Sequence, residues 1–191
     1  MSESPSAAQI LDTALNLAAQ CGWERLQLHA VAAELGVGLD AIAAHYPQKD
    51  DLVEAWFDRA DQALLRHAAE PALLEQDPGQ RLEELLLAWL AALEEYPAVT
   101  AQMLLYKFEP AHLHLQVLGL LRISRTVQWW REAARRDNHH LARVVEESLL
   151  TAVYLRSFVH WLRHPHEPPA LLRAHLHRQL QRAPLRQLLR H

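Results

Sequence analysis

Apolar residues recur along most of this chain at intervals of three and four, the period of helices with one buried face. Ile10, Leu11, Ala14, Leu15, Leu17, Ala18 and Cys21 mark one face of a first helix. Ser6 and Gln9 precede it at capping-box spacing, so each side chain can satisfy a backbone N–H that the first turn leaves unpaired. Gly22 is expected to close the helix in the left-handed region, with Trp23 folding back onto the apolar face. Leu28, Val31, Ala32 and Leu35 predict a short second helix ended by Gly36. Leu39, Ile42 and Ala43 predict a third, stopped at Pro47, and a longer helix is expected from about Lys49 through Leu52, Trp56, Leu64 and Leu65 to near Pro71.

Asp77-Pro78 then opens a helix, because Asp can cap it and the missing N–H of Pro is harmless in the first turn. Leu82, Leu85, Leu86, Trp89, Leu90 and Leu93 line its core side. Pro97 and Pro110 divide the next stretch of chain into a short helix and a long one reaching Arg136, and Asp137-Asn138 breaks the latter. A further long helix is predicted over 139–163, ended by His164-Pro165 and Pro168-Pro169, with two last pieces over 169–182 and 184–190. The class is all-α. A three-helix unit over residues 1–48 precedes a connecting helix and a C-terminal helical bundle over residues 49–191.

Composition agrees with that pattern. Half of the 191 residues are apolar and Gly occurs five times, which favours helix and suits one or two compact domains. The single cysteine, Cys21, excludes an intrachain disulfide; it fits a reduced compartment and lies on a face expected to be packed. No charged-then-apolar leader and no run near the roughly 18 apolar residues of a membrane span is found, so a soluble, cytoplasmic protein is expected. Charge is uneven. Residues 1–61 hold three basic and ten acidic residues, a net −7, while the remainder carries +3. Nucleic-acid-binding modules usually carry the opposite sign.

Three short helices and a long connecting helix, with specific residues at fixed places, make the strongest local signal. Ile10-Leu11 and Ala14, Gly22-Trp23, Val31-Ala32, Gly36-Val37, and Tyr46-Pro47 followed by Lys49 and Leu52 fall in one segment from Ile10 to Trp56. That segment resembles the helix-turn-helix domain of the TetR family of transcriptional regulators. The resemblance implies a homodimer with two DNA-reading helices on an operator and a C-terminal cavity for a small apolar ligand that respaces them. It assigns Gln27, His29, Gly38, Leu39, Ala41, His45, Tyr46 and Lys49 to the DNA-facing edge. This chain departs from the family in its third helix. Leu39 stands where a basic residue is usual, Ala41 where a hydroxyl is usual, and Ala43 where a phosphate-touching tyrosine is usual; Asp40 adds a carboxylate. Direct readout needs donors and acceptors at base edges, and this helix has few.

A second resemblance is to the ubiquinone-biosynthesis accessory proteins that share the TetR fold. It rests on Gly22-Trp23, Ala41-Ile42-Ala43-Ala44, Tyr96-Pro97, Trp129-Trp130 and Thr151-Ala152-Val153-Tyr154. It implies a lipid-binding protein that has given up DNA, with a C-terminal amphipathic helix that touches membranes.

Under either likeness the C-terminal domain needs an apolar cavity. Trp89, Met103, Tyr106, Trp130, Tyr154 and Phe158 are expected to wall it, with Leu104, Phe108, Leu118, Trp129 and Trp161 as further candidates; the competing reading is aromatics simply packed in a Leu-rich core. Lys107, Arg122 and Arg125 are candidates for pairing an acidic ligand head group or form a solvated face. Of thirteen histidines, His160 and His164 lie one turn apart, and His112/His114 and His175/His177 alternate. No set of three or four ligands at metal spacing emerges, so no metal or cofactor is expected. No nucleophile–base signature, phosphate loop or pair of acids stands out, so no catalytic residue is assigned and an enzyme is not expected. From Arg163 onward six arginines face only Glu167, interleaved with Leu171, Leu172, Leu176, Leu180, Leu185, Leu188 and Leu189. That pattern suits a last interface helix with a solvated basic face, or peripheral contact with anionic lipid. Val145, Leu149, Val153, Leu172 and Leu176 are expected to form stripes that a lone subunit leaves partly exposed.

Overall fold

The computed structural model describes residues 4–107, 113–138 and 140–189, and their side chains apart from those of 107, 113–118 and 120. Phe108 and His112, and the side chains of Lys107, His114 and Leu118, therefore lie outside the described residues. The order is α1 (Ala7–Cys21), α2 (Leu28–Leu35), α3 (Leu39–Ala43), α4 (Lys49–Ala68), α5 (Pro71–Leu74), α6 (Pro78–Ala91), α7 (Pro97–Lys107), α8 (Leu113–Ala133), α9 (His140–Arg163), α10 (Pro169–Leu180) and α11 (Leu185–Leu188). No strand occurs among the described residues. No described helix is long and apolar enough to cross a membrane.

The N-terminal unit forms where the pattern puts it. Ser6 Oγ accepts from the Gln9 N–H and Gln9 Oε1 accepts from the Ser6 N–H, closing the capping box. Ile10, Leu11, Ala14, Leu15 and Ala18 are buried against Trp23, Val31 and Ile42, which join the three helices in one core. Gly22 departs from expectation. Its φ of 89° is positive but its ψ of 147° is extended, so it is not a left-handed cap. The next N–H, that of Trp23, is taken by Gln102 Oε1 on α7 at 2.6 Å, and the Trp23 side chain is fully buried.

Helix α4 leaves this unit and runs into the C-terminal bundle, packing on α6 and α8 while its first half stays against α1. Asp77 caps α6 as expected, accepting from the N–H groups of Gly79 and Gln80. The single turn α5, unannounced by any periodicity, carries Leu73 into the core. Helix α9 lies on α8, α10 and α6. It is apolar on two faces. Leu150, Val153, Tyr154, Phe158 and Trp161 point inward, whereas Leu141, Val145, Leu155 and Val159, at helical spacing on the opposite side, are between 38% and 76% exposed. Val153 and Leu176 were expected on the outward stripe and are instead buried at 4% and 0% exposure, since α9 turns the Val153 side to α6 and α10 seats Leu176 in the core.

At the junction of α8, α9 and α11, Glu146 is fully buried and accepts from Arg131 Nε at 3.1 Å and Arg136 Nε at 2.7 Å. The same arginines donate to the carbonyls of Asn138 and Leu188, fastening the α8–α9 turn and the end of the chain. Removing one partner of a buried charge cluster leaves the others desolvated and unpaired. Glu146→Ala is expected to lower unfolding free energy by about 3–5 kcal/mol in urea titrations followed by circular dichroism.

Candidate functional site

Two regions carry chemistry: the edge presented by α3, and a cavity behind α4. The turn into α3 is built by Gly36, which takes φ 66° and ψ 31°, a region that costs a residue with a side chain strain. Gly38 is the N-cap of α3, and a Cβ there would collide with Asp40 Oδ1. The Asp40 carboxylate therefore lies against the start of the very helix expected to face DNA. Leu39 is 52% exposed, Ala43, Ala44 and His45 are exposed, Ala41 is half-buried, and Gln27 and His29 are exposed at the start of α2. All but Ala41 are thus exposed, at the start of α2 and at the two ends of α3.

Tyr46 and Lys49 have other partners. Tyr46 is 7% exposed and its hydroxyl donates to the Ala7 carbonyl at 2.9 Å, tying α3 to the start of α1. Lys49 Nζ donates to the carbonyls of Trp23 and Glu24 at 2.6 and 3.1 Å and sits 4.9 Å from the centroid of the Trp23 ring. Burial lowers the Lys49 pKa. Both side chains brace the N-terminal unit, a role that the family resemblance alone does not reveal.

The cavity has a volume of about 130 Å³. Phe57 of α4, Leu104 of α7, Ile123 of α8, and Tyr154, Phe158 and Leu162 of α9 give it an apolar wall, which the partly exposed Leu155 and Val159 of α9 extend to the outer face of that helix. Of the six residues expected there, Tyr154 and Phe158 line it. Trp89 is fully buried beneath them, stacked on Phe57 at 6.1 Å and edge-on to both Tyr154 and Phe158 at 5.2 Å. Met103 and Trp130 are fully buried in the core, where Trp130 Nε1 donates to the Leu82 carbonyl at 2.8 Å. Tyr106 lies elsewhere, in a cleft with Trp23, Arg25 and Gln102 between the two parts of the chain. Burial holds the Tyr154 hydroxyl well above its ordinary pKa.

Beside the cavity is a polar knot that the apolar pattern did not announce. Asp61 of α4 is 6% exposed. Its Oδ1 accepts from Trp89 Nε1 at 2.8 Å and Thr126 Oγ1 at 3.0 Å, and its Oδ2 from an Arg122 terminal nitrogen at 2.8 Å. Arg122 also pairs with Asp58, and lies 3.6 Å from Glu54. Arg125 bonds Asp58 at 2.6 Å. Arg122 and Arg125 are thus occupied by α4 carboxylates. Burial pushes the Asp61 carboxyl up to about 6, against the hydrogen bonds from Trp89 and Thr126 that pull it down.

The remaining candidates are structural in their surroundings. His160 stacks on His175 at 4.0 Å and bonds Glu167 at 2.6 Å, and no group of three His, Cys, Asp or Glu among the described residues is placed to hold a metal ion. Leu176, Leu180 and Leu185 bury the apolar side of the C-terminal helices within the subunit, and Arg173 pairs with Glu83 and Glu84.

Residues 10–56 match the model of bacterial regulatory proteins of the tetR family. The chain is similar to the crystal structure of a TetR transcriptional regulator from Nitrosomonas europaea, with 41% identity and a TM-score of 0.82 over 92% of this chain and 95% of that one. It is 26% identical over 158 residues, 81% of this chain and 75% of that protein, to the HTH-type transcriptional repressor KstR of Mycolicibacterium smegmatis. A TetR regulator structure from Rhodococcus sp. RHA1 shares the fold, with a TM-score of 0.65 at 18% identity over 95% of this chain and 94% of that one.

The buried carboxylate makes stability depend on pH. Asp61 binds a proton more tightly folded than unfolded, so its stabilising share is complete below the ordinary carboxylate pKa of about 4 and is lost as pH rises through about 6. Asp61→Asn removes that slope. Urea midpoints of the two proteins are expected to diverge in favour of the unaltered chain as the buffer is taken from about pH 6.5 towards about pH 4.5.

Proposed function

The chain belongs to the TetR family of bacterial regulatory proteins, a transcriptional regulator of the DNA-binding repressor type, and we propose that it works as a homodimer whose hold on its operator is set by a small apolar ligand in the cavity behind Phe57. On this reading residues 1–48 read DNA and residues 49–191 bind ligand and pair subunits.

The observation that carries the ligand part is that the cavity wall and the DNA-facing unit share helices. Phe57 faces the cavity from α4, whose first residue, Lys49, is bonded to the carbonyls of Trp23 and Glu24. Leu104 faces it from α7, and two residues earlier Gln102 accepts the Trp23 N–H. A ligand that spreads Phe57 and Leu104 moves both supports of the N-terminal unit and respaces the two reading edges. The lipid-carrier reading is not favoured. Its amphipathic C-terminal helix needs a free apolar face, and here Leu176, Leu180 and Leu185 are spent inside the subunit.

DNA contact falls to Gln27, His29, Gly38, Leu39, Ala41 and His45. With few cations on this edge, backbone N–H groups at the start of α3 and apolar contact with thymine methyl groups carry more of the interface than charge does. Fluorescence anisotropy with the operator is expected to give a log K against log salt slope of few phosphate contacts, at about −0.9 for each. Leu39→Glu is expected to abolish binding with little change in melting temperature, and tight binding by that variant would overturn the assignment.

Pairing falls to the outward stripe of α9, with Val145, Leu155 and Val159 as anchors. An exposed apolar row of this length on a soluble domain marks an interface. Sedimentation equilibrium is expected to give twice the 21.9 kDa subunit mass. Val145→Glu, exposed in the lone subunit and away from the cavity, is expected to give a folded monomer.

A further inference from the structure

The second half of α9 and the outer side of α10 gather cations that the subunit leaves without carboxylate partners. From Ser148 to His191, Glu167 is the one acidic residue. Arg156, Arg163, Arg178 and Arg182 are exposed, and none pairs with a carboxylate among the described residues. Arg156, Arg163, His160, His164 and His175 line an open cleft of about 420 Å³ between the two helices. Its remaining walls are Leu155, Val159 and Gln179.

The helical period explains the gathering. At about 3.6 residues per turn, Leu155 and Val159 are followed round α9 by Arg163 and Arg156, and then by His160 and His164. The apolar row given above to subunit pairing thus borders the cleft without supplying its cations. On α10 the same period turns His175 and Gln179 away from Arg173 and His177, which take up Glu83 and Glu84 of α6. The carboxylates of α6 are therefore engaged on the opposite side of α10.

The histidines form a stack. The His160 ring lies 4.6 Å from that of His164 and 4.0 Å from that of His175. His160 Nε2 bonds Glu167 at 2.6 Å, which occupies the one nearby carboxylate. His164 Nδ1 is held by the His160 carbonyl at 2.9 Å, leaving Nε2 as its unengaged nitrogen. Burial first, then His160 and Arg178, hold the His175 pKa below its ordinary value, with Arg182 adding to them and Glu167 opposing. Charging all three rings beside the arginines is costly, and an anion among them offsets that cost.

We propose that this cleft is a binding site for a small soluble dianion of the phosphate-monoester kind, separate from the apolar cavity. Arg156 and Arg163 grip its oxygens, since guanidinium forks match tetrahedral oxyanions, and proton uptake by the histidine stack strengthens the hold. More than one free cation faces the cleft, so a dianion gains more than a monoanion does. A lipid surface fits less well, because Leu176 and Leu180 of α10 are buried within the subunit and leave that helix little to insert.

Isothermal titration on the full chain compares phenyl phosphate, benzoate and benzyl alcohol in low-salt buffer at about pH 7.5, where the first is mostly a dianion. Phenyl phosphate is expected to bind about tenfold tighter than benzoate, with benzyl alcohol weakest. Arg156→Gln with Arg163→Gln is expected to weaken phenyl phosphate about tenfold. Arg66→Gln with Arg143→Gln removes the same charge from exposed arginines elsewhere and is expected to leave binding unchanged. Inorganic sulfate stays a dianion throughout, and is expected to bind about tenfold tighter at about pH 6 than at about pH 8 as the histidines take up protons. Equal losses in the two double variants reduce the effect to general charge attraction and overturn the site. Benzoate as tight as phenyl phosphate overturns the dianion class, and sulfate binding that is flat with pH overturns the part given to the histidines. Capture by vesicles of phosphatidate in phosphatidylcholine, without binding of phenyl phosphate, overturns the soluble ligand in favour of a lipid surface. The reading of the apolar cavity stands or falls apart from all of these outcomes.

Discussion

The buried carboxylate of Asp61 is the constraint on which the C-terminal half turns. A charge of this kind is tolerated only with partners, and it has them from two other helices: Trp89 on α6, and Arg122 and Thr126 on α8. A one-turn slip of α4 would strand the carboxylate, an indole N–H and a guanidinium together, so the knot reinforces the register that the packing of Trp56 and Phe57 also sets. Phe57 lies one turn before Asp61, and the register that pairs Asp61 is the one that turns Phe57 to the cavity. The N-terminal end of α4 then stands under the DNA-facing unit at a height set some distance away.

That unit is joined to the bundle in a different manner. Along the seam Trp56 Nε1 donates to Thr100 Oγ1, Tyr96 donates to Asn16, Arg59 pairs with Asp12, and Gln102 takes the Trp23 N–H. Polar links of this kind, several of them exposed, resist sliding less than an interlocked apolar core does. Apolar contacts also run through this seam, where Ile10, Leu11 and Trp23 share one core with Trp56 and Val99, and on the proposed reading the polar links there are what a moving cavity wall would displace.

The limits of the sequence reading come from the same physics. The N-terminal unit was legible because its caps and stripes are local: Ser6 with Gln9, the glycines flanking α2, and the run from Ile10 to Ala18. Asp61 was not, since a lone Asp within an apolar run reads as a solvated position and its partners lie 28 or more residues away. Residue type marked Trp89, Met103 and Trp130 as apolar and large, which does not separate a cavity wall from a packed core; all three are fully buried and none lines the space. Tyr46 and Lys49 were placed by resemblance on the DNA-facing edge, whereas the hydrogen bonds of this chain turn them inward. The outward face of α9 was half legible, with Val145 on it and Val153 not, because a helix buried on one side and paired on the other has no polar face to set its phase.

The small cavity raises a question of energy. A ligand shifts a conformational equilibrium only by its difference in affinity for the two states, and a near-complete switch from one state to the other takes a factor of about 10⁴. A compact ligand filling about 130 Å³ has few contacts with which to make so large a difference alone. In a dimer whose two subunits switch together, the factors multiply, so about a hundredfold preference at each cavity reaches the same total. A hundredfold is within reach of one buried hydrogen bond gained in one state and lost in the other, together with a modest change in apolar contact. Coupled switching in turn requires subunits that cannot move independently, and on the proposed pairing the outward stripe on α9 would supply that coupling, because α9 also walls the cavity through Tyr154 and Phe158. On that proposal one helix both pairs the subunits and senses the ligand, which is what would let so small a space govern a dimer.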